Sequence, residues 1–264
     1  MVERQCEPVR QSTTTRPRIS VCMAVYNGEH FFPEQLRSIL PQLSPDDEVI
    51  IVDDGSKDAT LERVAAFNDP RILVTRHKKN EGVIASFEDA VRLANGDILF
   101  FSDQDDVWAA DKVDKMLAAF ASDESVTIVS TGLSVIDKNG RLVEDATYSN
   151  RPPFASGFFR NLYANRFQGS AMAIRRTLVP HVLPFPKHCS FVHDEWIGMR
   201  NALIGGRVIH LPEPLLLYRR HGNNDSGSKS IYGKFKKRVE VLLALARYRR
   251  TKSEPSSGRF VLPR

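Results

Sequence analysis

Four large apolar residues, Ile98, Leu99, Phe100 and Phe101, run through Ser102 straight into Asp103, Asp105 and Asp106. An apolar run this short, preceded by Gly96, reads as a strand buried on both faces of a parallel sheet. Such a strand delivers its last residues to the carboxyl edge of the sheet, where open α/β folds bind their ligands. Carboxylates crowded at that edge repel one another, and a divalent cation is the usual remedy. Mg2+ or Mn2+ suits the site, held between one or two carboxylates and the phosphates of a substrate. Capping of the next helix by Asp106 or Asp111 would account for one acid and not for three.

The strands expected beside it end in the same way. Ile19–Val25 reads as a buried strand turning at Tyr26-Asn27-Gly28, followed by a helix from Pro33 to Leu40. Glu48–Val52 is a second buried strand, ending in Asp53-Asp54-Gly55-Ser56, with Asp58 as N-cap of a helix over Ala59–Phe67. A short strand over Ile72–Thr75 and the loop His77–Gly82 precede a helix over Ile84–Ala94, for which Asn95-Gly96 supplies a left-handed stop. A helix over Asp111–Phe120 and a strand over Thr127–Ser130 complete a β-α alternation that argues for a parallel, doubly wound sheet.

Beyond that point the rhythm breaks. Leu133–Val143 reads as a hairpin around Asp137-Lys138-Asn139-Gly140, and residues 145–165 have no clear period. Gln168–Ile174, Val208–Leu211 and Leu215–Tyr218 are strand candidates, and a helix begins at His193-Asp194-Glu195-Trp196. The expected organisation is a polar lead (1–18), one domain over 19–228 and a basic tail over 229–264. Within the domain, 19–131 forms the nucleotide-binding half and 132–228 the acceptor half.

Charge supports that division. The net charge is +5, yet residues 1–18 contribute +2 and residues 229–264 contribute +9, leaving −6 on the body. The basic excess lies in the tail rather than across a nucleic-acid-binding face, and no nucleic acid is expected as partner. No apolar run approaches the ~20 residues of a membrane span. Met1–Arg18 lacks the apolar block of a signal peptide, so the expected location is the cytoplasm. Cys6, Cys22 and Cys189 have neither metal-ligand spacing nor a disulfide pattern.

At one sheet edge, Asp53/Asp54 would suit hydrogen bonds to a base or ribose, and Asp103/Asp105 a ribose and a metal bridging two phosphates. A glycine-rich phosphate loop is absent, so the cation must do most of the neutralising. Asp194 and Glu195 could act as a general base or simply favour the start of their helix. Arg219-Arg220-His221 follows a strand and could face a diphosphate.

Seven ordered segments, "SVCMAVYNG", "VIIVDDGSKDAT", "NEG", "ILFFSDQDDVW", "QGSAMAIRR", "HDEW" and "YRRHGNN", resemble the family 2 glycosyltransferases, with "SDQDDVW" and "YRRHGNN" closest to rhamnosyltransferase-type members. The resemblance implies a GT-A fold, a Rossmann-like and mostly parallel sheet flanked by helices, with a mixed C-terminal half. It also implies inverting, metal-dependent transfer of a single sugar from a nucleotide diphosphate donor, such as dTDP-rhamnose or a UDP-sugar, to a hydroxyl of a glycan or lipid-linked acceptor. Asp54 would contact the base with Ala24 and Tyr26 beside it, Asp103 the ribose, and Asp105 the metal with His221 as neighbour. Asn27, Asp53, Gly82 and Gln104 complete the donor side, while Gly169, Ser170 and Trp196 line the acceptor side. Asp194 would be the general base, with Glu195 as the alternative. The chain departs from common family patterns: Ala24-Val25 stands where Pro-Thr is frequent, and Ala85-Ser86-Phe87 replaces the usual Arg and Asn. The absence of a Gln-x-x-Arg-Trp motif disfavours a processive synthase. A nucleotidyltransferase or a non-catalytic nucleotide-sugar module are the rival readings. The first should carry a basic, Gly-rich loop that "AVYNGEH" is not, and the second should lack the acids.

In the tail, Ile231, Phe235, Val239, Leu242, Leu243 and Ala246 share one helix face flanked by Lys234, Lys237 and Arg238. Over residues 229–252 this predicts a helix that lies on an anionic membrane, the inner face of the plasma membrane, or else packs on protein.

Overall fold

The computed structural model describes residues 16–144, 158–163, 167–187, 192–221 and 231–253. The described residues build one twisted sheet of nine strands. Four parallel strands form its first half: β1 (Ile19–Val25), β2 (Glu48–Asp53), β3 (Ile72–Arg76) and β4 (Ile98–Ser102), in the order β3-β2-β1-β4. The helices between them are α1 (Phe32–Ile39), α2 (Thr60–Ala65) and α3 (Val83–Leu93). Successive residues of β1, β2 and β4 are buried on alternate faces. Val21, Met23, Val49, Ile51 and Phe100 pack with α1, whereas Cys22, Ile50, Val52, Leu99 and Phe101 pack with α3. This is the two-sided burial that the apolar runs predict.

The second half corrects several expectations. After β4 come β5 (Val107–Trp108), α4 (Lys112–Ala121) and β6 (Val126–Ile136). β6 runs through the region read as the start of a hairpin. The hairpin itself is confined to its end, where Ile136 pairs with Leu142 of β7 (Leu142–Glu144) and Gly140 takes φ 79°. β6 does not lie beside β4. The short antiparallel strand β8 (Met172–Arg175) is inserted between them, after α5 (Phe158–Tyr163). Met172, Ala173 and Ile174 are all fully buried, so a late segment of the chain fills the edge that the β-α alternation assigned to the next strand.

α6 (Val179–Val182) and α7 (His193–Leu203) follow, and then β9 (Arg207–Arg219), which pairs with both β6 and β5. The two strands expected over 208–211 and 215–218 are this single strand. Its register against β6 shifts at Gly132, where a Cβ would stand 2.5 Å from the Pro212 carbonyl oxygen. Prolines 212 and 214 are tolerated at that irregularity because a bulge frees the ladder positions they cannot donate to. The stop of α3 also differs from expectation. Ala94 is extended, Asn95 donates its backbone N–H to Glu48, and neither Asn95 nor Gly96 is left-handed. Gly96 is needed for close approach instead, since a Cβ there would lie 2.5 Å from the Ser20 nitrogen.

α8 (Ile231–Ser253) covers α6 and α7. Its buried side chains are Val241, Leu245 and Tyr248, and the Tyr248 hydroxyl donates to the Pro180 and Leu183 carbonyls. Of the face picked out by hydropathy, Val239, Leu242 and Leu243 remain 40%, 47% and 51% exposed, while the side chains of Ile231 and Phe235 lie outside the described ones. Cys22 is a buried free thiol; Cys6, Cys189 and Asn223-Asn224 lie outside the described residues.

Candidate active site

The parallel register sets the site. Val25 is opposite Asp53, and Met23 is opposite Ser102, so Tyr26, Asp54 and Asp103–Asp106 leave the sheet at one edge. Gln104 closes the gap between the first and last of these. Its side chain accepts the Tyr26 N–H at 2.8 Å and donates to the Tyr26 carbonyl at 3.1 Å. Asn27, left-handed at φ 48°, accepts from the Lys57 N–H through its side chain and donates its own N–H to Ser56. The loops after β1 and β2 therefore move as one piece. Ala24 is half-buried between these strands.

Asp53 and Asp54 face protein partners. Asp53 is fully buried, accepts the Ser56 N–H and pairs with Arg76 at 3.0 Å. Asp54 accepts the backbone N–H groups of Glu81 (2.7 Å) and Gly82 (2.8 Å) and meets His77 Nδ1 at 2.7 Å. It thereby pins the Asn80-Glu81-Gly82 loop, whose glycine takes φ 92°. Burial pulls the His77 pKa down, but Asp54 and Asp89 on its two ring nitrogens outweigh it and raise it.

The carboxylates after β4 form a buried cluster. Burial, then the charge of Asp105, lifts the Asp103 carboxyl to about 7. Asp106 is lifted well above the usual range by burial and by Asp103 and Asp105. Two basic residues stand behind them: Lys112, which sequence reasoning did not single out, and Arg219, which it expected to face a diphosphate. Lys112 is fully buried, donates from Nζ to the Ser170 carbonyl at 2.6 Å and lies 4.3 Å from the Trp108 ring centre. Arg219 turns inward rather than toward a ligand. It donates from its backbone N–H to Asp106, from Nε to the Asp105 carbonyl and from Nη2 to Glu34, and so holds the acidic loop by its main chain. Lys112 is a single basic residue in an otherwise ordinary helix start, which carries no pattern in one dimension.

Asp105 and His221 meet directly, Oδ2 to Nε2 at 2.7 Å, with the His221 ring stacked on Phe31. Among the described residues no group of three or more His, Cys, Asp or Glu could hold a metal. The pair alone offers one carboxylate and one imidazole, fewer groups than the shell of Mg2+ or Mn2+ needs, so Asp105 would be the hard-oxygen ligand and the remaining positions would fall to phosphate oxygens and water.

The second acidic region is the start of α7. Val192, extended, precedes the helix, so Asp194 lies inside the first turn rather than at the cap. His193 is buried between Phe87 (3.9 Å between ring centres) and Phe101 (5.2 Å), and burial drops its pKa to about 3. Gly169 makes room for it, as a Cβ there would stand 2.6 Å from His193 Nε2. Asp194 accepts the Glu195 N–H at 2.5 Å, and its carboxyl is lifted to about 7 by burial and by the charges of Glu195 and Asp103. The two acidic regions are thus close enough to feel one another. Glu195 is raised by burial, against the pull of Lys237 on α8, which pairs with it at 2.5 Å. Trp196 bonds the Val182 carbonyl and packs on Tyr248.

Comparison with known proteins identifies the family and the fold. The family model for glycosyl transferase family 2 matches residues 20–183, from the first strand past the Gly169-Ser170 segment. The chain belongs to glycosyl transferase family 2. Among its relatives is an uncharacterised glycosyltransferase of Nostoc sp., 28% identical over 215 residues, which cover 79% of this chain and 66% of that protein. Among solved structures, Staphylococcus aureus TarS 1-349 in complex with UDP-GlcNAc superposes with TM-score 0.67 at 21% identity, covering 86% of this chain and 66% of that one. The Pyrobaculum calidifontis mannosyltransferase PcManGT, in complex with GDP-Man and Mn2+, superposes with TM-score 0.62 at 22% identity, covering 92% and 67%. At these identities the likeness is one of fold, and the fold of this family member is the GT-A type. The chain spans about two thirds of the length of the Nostoc relative and of the TarS fragment.

Proposed function

We propose that this family 2 chain transfers a single sugar from a nucleotide diphosphate sugar to an acceptor hydroxyl, with inversion at the anomeric carbon. The observation that carries the reading is the nearness of two acidic regions, the buried Asp194 at the start of α7 and Asp103 after β4, whose charge adds to the burial that raises the Asp194 carboxyl. The loops pinned by Gln104, Asn27 and Asp54 shape the nucleotide pocket, and Asp103 takes the ribose. Asp105 and His221 would hold the cation, which when bound stabilises negative charge developing on the departing diphosphate. Asp194, lifted to about 7, accepts the proton of the attacking hydroxyl. Attack from the Asp194 side, opposite the diphosphate, makes the displacement a single inverting step. Glu195 is paired with Lys237, which ties that carboxylate to α8.

Rhamnose is the sugar favoured by the "SDQDDVW" and "YRRHGNN" segments, and dTDP-rhamnose or a UDP-sugar is the donor class. The acceptor is a glycan or a lipid-linked saccharide at the inner face of the plasma membrane. Supporting that, exposed Val239, Leu242 and Leu243 on α8 stand beside Lys236 and Arg247, the pattern of an interfacial helix. No helix among the described residues is long and apolar enough to cross a membrane.

The test is a donor panel that follows release of nucleotide diphosphate with Mg2+, Mn2+ or EDTA. One donor should be turned over with metal, and both Asp105→Ala and Asp194→Asn should lose that turnover. If no donor is hydrolysed or transferred, and calorimetry detects no donor binding with metal present, the reading fails.

A further inference from the structure

The stripe by which α8 docks is Lys237, Val241, Leu245 and Tyr248, spaced by four, four and three residues on one helix face. Three of these are buried, with the Tyr248 ring edge-on to Trp196 and the Arg200 guanidinium over both rings, 3.9 Å from the Tyr248 ring centre. The fourth is the cation. Anchoring the stripe through Tyr248 and Leu245 leaves Lys237 two to three turns away, with its Nζ 2.5 Å from Glu195 Oε2. The Glu195 side chain is only 7% exposed, so this is a buried carboxylate meeting a cation that one docked helix delivers.

We propose that Lys237 is a positioning residue of the base site: its ion pair fixes Glu195 and leaves Asp194 as the carboxylate that takes the acceptor proton. The inference rests on the glycosyltransferase reading of Asp194. Among the described residues, the charged groups that act on Asp194 are Glu195 from its own helix, Asp103 from the end of β4 and Lys237 from α8; the neighbouring His193 is held neutral by burial. Two of the three are acids that hinder ionisation of Asp194, and Lys237 opposes them. Without Lys237, the charge of Glu195 would act unopposed on the residue beside it. Ionisation of Asp194 would then require higher pH, and Glu195 would be free to swing or to compete for the proton.

The experiment compares the full chain with Lys237→Met, Lys237→Arg, Glu195→Gln and the double variant Lys237→Met/Glu195→Gln. It uses whichever donor and metal the panel identifies. For each, kcat and donor KM are measured against pH, with urea unfolding alongside. In Lys237→Met the acid limb of kcat should move up by about one pH unit, with a loss of about tenfold in kcat below the limb and little change in donor KM. Lys237→Arg should restore the limb, because the charge returns, and the double variant should restore it too, because the opposing charge has gone. A Lys237→Met protein that loses stability but keeps the wild-type limb would overturn the proposal and leave Lys237 an anchor for α8. An Asp194→Asn control separates the two levels of argument. If that variant keeps its kcat, the reading of Asp194 as base fails and the role of Lys237 falls with it; if it is inactive while the Lys237→Met limb is unmoved, only the present inference fails.

Discussion

The two acidic clusters of the cleft differ in where their counter-charges come from. Asp103, Asp105 and Asp106 are backed by Lys112 on α4 and by Arg219 at the end of β9, both fully or nearly buried parts of the sheet and its flanking layer. Asp194 and Glu195 are faced by Lys237, a third exposed, on a helix that docks through Val241, Leu245 and Tyr248. In the first cluster, electrostatics and stability are one problem, because the cation cannot be removed without opening the core. In the second, the cation sits on the rim, and the charge balance can be changed while the sheet stays intact. The difference teaches that the acid cluster after β4 is bound up with the stability of the sheet, whereas the pair at the start of α7 can be tuned separately.

The comparison can be broken in several places. The largest expected effect is on the acceptor side. Asp194→Asn should lower kcat by about 10²–10⁴-fold while calorimetry finds donor binding retained. Loss of donor binding would instead make Asp194 part of the nucleotide site. On the donor side, Lys112→Met removes a buried counter-cation and its bond to the Ser170 carbonyl, and should cost about 3 kcal/mol in guanidinium unfolding. A cost below about 1 kcal/mol would mean that Asp103 and Asp106 are held protonated and need no cation, which would erase the contrast between the clusters.

The pH dependence of stability sharpens the acceptor side. Asp194, lifted to about 7, takes up a proton on folding, so its contribution is present at low pH and is lost as pH rises from about 4 toward 7. His193, lowered to about 3, gives up a proton on folding, so its contribution is present above about 6.5 and is lost as pH falls. Between about pH 4 and 6.5 the two slopes oppose, each about 1.4 kcal/mol per pH unit. Relative to wild type, Asp194→Asn should gain stability with rising pH in that window, and His193→Phe should lose it. Urea titrations that run parallel for wild type and both variants would show that neither group carries its shift. The smallest effect is expected at Leu242, which is 47% exposed: Leu242→Ser should change stability by less than about 0.5 kcal/mol yet weaken sedimentation with anionic vesicles. Unchanged sedimentation would detach α8 from the membrane reading.

Much of the donor half was legible because parallel strands buried on both faces must be continuous apolar runs. Ile19–Val25, Glu48–Val52 and Ile98–Phe101 read as strands directly, within one residue of the observed bounds, and the acids after them had to share an edge. The hidden parts depend on neighbours distant in the chain. Nothing in Met172–Arg175 announces that it will pair with β4, and nothing in Val107–Trp108 marks a strand until Leu216 and Leu217 of β9 lie beside it. The docked face of α8 was hidden for a related reason. A stripe containing Lys237 scores as polar until Glu195 is placed opposite it, so hydropathy selected a stripe whose Val239, Leu242 and Leu243 remain exposed.

The sequence by itself determined the kind of fold and the chemical character of its working edge, because burial writes apolar runs and chain direction fixes where each strand ends. Tertiary structure alone decided which cation neutralises which acid: Lys112 and Arg219 for the Asp103–Asp106 loop, Lys237 for Glu195. An ion pair acts over a few ångströms of space, and residues 195 and 237 acquire that proximity only when α8 folds back across α7.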